Sequence, residues 1–107
     1  MRALSIRQPY VEQILRGTKR IEYRSRSTQI RGRFYLYASK SPGPDEEFES
    51  LGVEPGNLPT GVIVGTAELV DCTKGGRFYE WHLRNPRRLV RARRRANHPQ
   101  PAWFNPF

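Results

Sequence analysis

The 107-residue chain is poor in most of the groups on which site chemistry is built. Its one cysteine, Cys72, excludes an internal disulfide framework. Its two histidines, His82 and His98, do not combine with Cys72 at any metal-ligand spacing, and no metal or cofactor is expected. No phosphate-binding GxxxxGK loop, G-x-S-x-G elbow or paired-cysteine motif is present. No apolar run approaches the roughly 20 residues of a membrane-spanning helix. The start, "MRALSIRQPY", lacks the apolar stretch of a secretory leader. A cytosolic protein without a membrane partner is the expectation.

Acids are also scarce: ten Asp and Glu stand against 19 Lys and Arg, for a net charge of +9. Their placement is uneven. Residues 1–40 carry ten basic and two acidic side chains, 41–73 carry seven acidic and none basic, and 74–107 carry nine basic and one acidic. This alternation can fold into one positive face with a separate acidic lobe. Such a face attracts polyanions at long range, although a generally solvated basic surface would look alike at this level. The length bounds the chain to one domain, 1–107, expected to be a monomer. An apolar fraction of 36% is modest but sufficient for a core.

Apolar periodicity sketches the elements. Arg2 to Ile6 reads as a strand, and "RQPYVEQILRG" as a short helix with Pro9 at its start and Gly17 just past its end. Tyr10, Val11, Ile14 and Leu15 form its apolar face. Strands are expected over 20–26 and 32–39, helical turns over 45–51, and a Pro- and Gly-rich loop before the strand 61–72. Gly65 inside that strand marks a bulge or bend. "FYEWHL" predicts another strand, Leu89 and Val90 a short one, "RARRR" an exposed basic arm, and "PAWF" a final aromatic strand. Five or six short strands with two or three small helices predict an α+β fold built on a small mixed barrel.

The stretch "GTKRIEYR" crowds Lys19, Arg20, Glu22 and Arg24 into six residues. Strand alternation puts Arg20, Glu22 and Arg24 on one side and Ile21 and Tyr23 on the other, expected to be the core side. Lys19 is expected in the turn after Gly17. Spacing alone is met by a surface salt-bridge ladder as well as by a site wall. Arg7 and Gln8 stand at a strand-to-helix junction, where free N–H groups favour anions and where capping is the plainer role. Glu68, inside an apolar strand, must find solvent, a partner or a cavity. Arg84, Arg87, Arg88, Arg91, Arg93, Arg94 and Arg95, with no acid among them, could track a nucleic-acid backbone, or solubilise a tail.

The ordered segments "ALSIRQPY", "ILRGTKRIEYRS", "RGRFYLYAS" and "LPTGVIVGTAELVDC" resemble the ASCH (activating-signal-cointegrator homology) domain over roughly residues 3–85. "EWHLRNPRRL" extends the likeness weakly. The family's hallmark G-x-K-x-x-E-x-R is matched by Gly17, Lys19, Glu22 and Arg24. The resemblance implies a PUA-like β-barrel with a cleft lined by the hallmark residues, and by Gln8 and Ser39 beside them. It implies nucleic-acid binding, RNA in preference to DNA. Some relatives are ribonucleases, and a small subgroup are acetylcytidine amidohydrolases using a Lys, a Thr three residues on and a later Glu. Lys19 and Glu68 match two of these, but Glu22 stands in place of the Thr, which argues against the same deacetylation. The readings are therefore a binding module with Arg7, Gln8, Lys19, Glu22, Arg24 and Ser39 about an unstacked base, or a hydrolase of RNA or a modified nucleoside carried by Lys19, Glu22 and Glu68. A third is a protein-interaction module using the acidic segment 45–54.

Overall fold

The alternating segments pair into one six-stranded mixed sheet in the computed structural model, which describes residues 1–107. The elements are β1 (Ala3–Arg7), α1 (Tyr10–Leu15), β2 (Ile21–Arg24), β3 (Gly32–Ser39), α2 (Asp45–Leu51), β4 (Val62–Gly75), β5 (Phe78–Arg93) and β6 (Trp103–Phe104). A single turn of tighter helix, Pro55–Asn57, precedes β4. The spatial order is β2-β5-β4-β3-β1-β6, with β1 and β3 parallel and every other pair antiparallel. The sheet curls into a half-barrel with two short helices, the α+β, PUA-like architecture expected from the sequence.

The core follows the apolar alternation. Leu4 and Ile6 of β1, Phe34 and Leu36 of β3, and Trp81 and Leu83 of β5 are buried together. Val11 and Ile14 of α1 complete the cluster. Each such side chain contributes about 1.5–3 kcal/mol on burial. The expected return of "PAWF" to the core is observed: Trp103 and Phe104 pair with Leu4 and Ala3. Gly65 is fully enclosed, and a Cβ there would stand 2.5 Å from the Arg87 carbonyl oxygen and 2.6 Å from Leu15 Cδ2. Register shifts on both sides of this part of β4 produce the expected bend.

Three expectations are corrected. "FYEWHL" and the Leu89–Val90 segment are one strand of 16 residues, not two, and the arginines through Arg93 lie within it rather than on an arm. Pro86 is tolerated because a shift between the Thr66↔Arg87 and Glu68↔Arg84 pairs bulges the strand there, with Asn85 at φ 52°. Finally, the faces of β2 are reversed. Glu22 pairs with Trp81 and is only 8% exposed, whereas Tyr23 is 53% exposed. An edge strand bordering an opening can turn its polar side inward, because the interior there is a cleft rather than a packed core.

Candidate functional site

The cleft exists because the sheet does not close. β2 and β6 are its two edges, and β6 covers only Ala3 and Leu4 of β1. Beyond them, β1 and β2 face each other across a gap bridged by one hydrogen bond, in which Arg24 Nη2 donates to the Ser5 carbonyl oxygen at 2.8 Å. The cavity so formed has a volume of about 400 Å³ and is lined by Arg7, Tyr10, Lys19, Glu22, Tyr23 and Arg24, with Ser5 and Ile6 behind. That volume lies within the range of small-molecule sites.

Local structure places each wall. After α1, the Gly17 N–H donates to the Ile14 carbonyl and the Thr18 N–H to the Gln13 carbonyl. This is a Schellman stop, and Gly17 at φ +81° supplies the left-handed residue it needs. The turn delivers Lys19, whose own N–H also donates to the Gln13 carbonyl. The Lys19 amine then lies 5.3 Å from the Tyr10 ring centre and 5.2 Å from that of Tyr23, within cation–π range of both. Three residues on, Glu22 points inward. Its Oε2 accepts from Arg24 Nε at 2.9 Å and lies 2.8 Å from Arg24 Nη2 as an ion pair. Its Oε1 has only Lys19 Nζ at 3.7 Å, which is too long for a hydrogen bond. Glu22 therefore keeps a free acceptor in the cleft, flanked by two cations.

Arg24 is held from behind, with its guanidinium 5.7 Å from the Trp81 ring, itself stacked on Trp103 at 5.7 Å. Tyr10 forms the opposite wall. Burial, then the charges of Glu47 and Glu22, push its phenol above the usual value, so it stays a hydrogen-bond donor at neutral pH. Glu47 of α2 accepts from Gln13 Nε2 at 2.9 Å, which sets the acidic helix beside this end of the cleft.

The remaining sequence candidates fall elsewhere. Gln8 is 1% exposed and engaged at both ends of its amide: its Oε1 accepts from the Glu12 N–H at 3.1 Å, and its Nε2 donates to the Pro59 carbonyl at 3.0 Å. It caps α1 and ties down the loop before β4, and it is corrected from ligand-binding to structural. Ser39 pairs with Arg7 across β1 and β3, and its Oγ accepts from the Ser41 N–H at 3.3 Å. It does not line the cleft. Glu68 is likewise not brought to Lys19 and Glu22. It accepts from Asn85 Nδ2 at 2.7 Å and Arg33 Nη2 at 3.4 Å, with Arg84 Nε at 3.7 Å. The Asn85 hydrogen bond, then the charges of Arg84 and Arg33, hold its carboxyl below the usual range, which makes it a weak base.

The arginine segment divides. Arg88 is committed to Glu12 through two 2.9 Å hydrogen bonds, and Arg93 lies 4.0 Å from the Phe107 ring centre. Arg95 donates to the Asn97 carbonyl, and Arg84 faces Glu68. Arg87, Arg91 and Arg94 are exposed and carry no internal ion pair. Reading by residue type missed Tyr10 and Tyr23 as cleft walls. Their available signal was position: one opens the helix that Gly17 stops, and the other directly follows Glu22.

Comparison with known proteins identifies the family. Activating signal cointegrator 1 from Homo sapiens is 36% identical to the chain over 88 residues, and so is its Mus musculus counterpart. The match covers 72% of this chain, which spans only 15% of the length of those relatives. The ASCH domain matches over residues 4–101, a span that contains every cleft residue named above, and the chain belongs to the ASCH domain family.

Proposed function

We propose that the protein is a nucleic-acid binding module whose cleft receives one unstacked base of a single-stranded RNA. The observation that carries this reading is the free Oε1 of buried Glu22, set between Lys19 and Arg24 and walled by the Tyr10 and Tyr23 rings. A base offers amino hydrogens for the carboxylate, ring faces for the tyrosines and a linked phosphate for the cations. Bases become available in this way in single strands and loops, the usual targets of RNA readout, which is why RNA is favoured over DNA. The exposed Arg87, Arg91 and Arg94 add sequence-independent attraction to the backbone.

The hydrolase alternative needs Lys19, Glu22 and Glu68 around one substrate. Glu68 is engaged by Asn85, Arg33 and Arg84 outside the cleft, so binding without cutting is the reading adopted. The test is fluorescence anisotropy of a short labelled single-stranded RNA titrated with protein at several salt concentrations. Binding at low salt that weakens steeply as salt rises is expected. Absence of binding at low salt, or binding indifferent to Arg24→Ala, overturns it.

A further inference from the structure

A second depression, of about 520 Å³, adjoins the cleft, and Lys19 lines both. Its floor is apolar, made by Ile14, Ala67 and Leu83. Its cations are Lys19, Arg20 and Arg84, and no acid lines it. Arg20 is exposed and its side chain makes no hydrogen bond or ion pair within the protein, although its carbonyl accepts from the Leu83 N–H at 2.8 Å. An apolar floor under three cations, of which Arg20 has no internal partner while Lys19 and Arg84 lie 3.7 Å from Glu22 and Glu68, suits the next unit of an anionic polymer held in the adjoining cleft.

Asn85 adds a specific element. It is one of two residues other than glycine with positive φ, at 52°, and it lines this groove at the bulge of β5. Backbone held in that region marks places where the surroundings over-determine a residue. Here they do so from both ends. The Asn85 carbonyl accepts from Arg33 Nη1 at 3.1 Å, and its Nδ2 donates to Glu68 Oε1 at 2.7 Å. A carboxylate only accepts, so Glu68 dictates which amide atom faces it and turns Asn85 Oδ1 the other way. That oxygen makes no internal hydrogen bond. Glu68 thereby acts as a positioning residue.

We propose that this groove is a second nucleotide subsite, so that the protein holds two consecutive nucleotides of one RNA strand with their shared phosphodiester at Lys19. The inference rests on the proposed binding of a base in the neighbouring cleft. Arg20 and Arg84 grip the backbone as it leaves the cleft, Asn85 Oδ1 accepts from the second base, and Ile14 and Leu83 pack on its sugar or ring. The acids of α2 stand beside Tyr10 and line no part of the groove, so charge also directs the strand this way.

The experiment is an amide chemical-shift titration of the isotope-labelled full chain with adenosine monophosphate and, separately, with the dinucleotide ApA. Both probes are expected to shift Tyr23 and Arg24, and only ApA to shift Ala67, Arg84 and Asn85, with affinity about tenfold above that of the monophosphate. Asn85→Gly keeps the left-handed backbone without the amide, and Arg20→Ala removes a side chain with no internal partner. Each is expected to lower ApA affinity toward that of the monophosphate. Cleft shifts without groove shifts, or equal affinities for the two probes, overturn the second subsite alone. Groove shifts without cleft shifts overturn both the base cleft and the two-subsite arrangement, as does the absence of shifts at both places.

Discussion

Glu12 and Glu22 are both buried acids in a strongly basic protein, 6% and 8% exposed, and each lies between two cations. They differ in how completely they are used. Glu12 is saturated: Arg88 binds both oxygens at 2.9 Å and Arg16 Nε adds a bond at 2.8 Å. Arg88 spans from β5 to α1, so this cluster fastens the helix to the sheet. Glu22 has one oxygen bonded to Arg24 and one with only a 3.7 Å neighbour. A fully satisfied buried acid is structural, whereas one with acceptor capacity left over in an open cleft is equipped to meet a ligand.

The largest expected effect separates the two by stability. Glu12→Ala removes three charge-assisted hydrogen bonds and should cost about 2–3 kcal/mol, held below the fully buried range because Arg88 reaches solvent. Glu22→Ala should cost less, about 1–2 kcal/mol, since it removes a single charge-assisted hydrogen bond, that from Arg24 Nε. Urea denaturation of both variants checks the contrast, and equal losses would erase it.

Next in size is a binding effect. Lys19→Ala should weaken short single-stranded RNA several-fold and flatten the salt dependence by about one phosphate contact. Anisotropy titrations across salt concentrations read both quantities. Glu12 then sharpens the comparison through pH. The Arg88 hydrogen bonds, and then those of Arg16, outweigh burial and hold its carboxyl below the ordinary 4.5. The stability it contributes is thus complete above that value and is lost as pH falls through the lower folded value. Glu12→Gln should show a flatter acid limb in urea midpoints measured between neutral and acidic pH. The smallest effect is expected at Glu68→Gln, which should lower the urea midpoint at neutral pH only slightly, because the half-buried carboxylate meets Arg33 and Arg84 at the long distances of 3.4 and 3.7 Å.

Legibility in the sequence followed the same division. The order of strands and helices, the Gly17 stop and the bend at Gly65 could be read because each depends on local periodicity or on one special residue. The continuity of β5 could not, since Asn85–Pro86 looks like a break and only the bulge opposite Thr66 and Glu68 carries the strand past it. The hallmark residues Lys19, Glu22 and Arg24 were legible as a group through family likeness. Their orientation was not, because alternation assigns the apolar side of a strand to the core. β2 borders a gap in the barrel, so its inner face is the polar one, and Tyr23 is left at the exposed rim of the cleft, beside the Lys19 amine. Gln8 was misplaced for a related reason: a polar residue at a strand-to-helix junction can serve a ligand or cap a helix, and burial alone decides between them.

Replacing Glu22 with Gln tests the central claim most directly, because two accounts of the basic surface differ in sign. Removing one negative charge from a generally cationic face should strengthen RNA binding. If Glu22 accepts a hydrogen bond from a base, the Glu22→Gln variant should instead bind a short single-stranded RNA about tenfold more weakly at the same salt, with its urea midpoint little changed. Equal or tighter binding would contradict the assignment of the cleft as the base site.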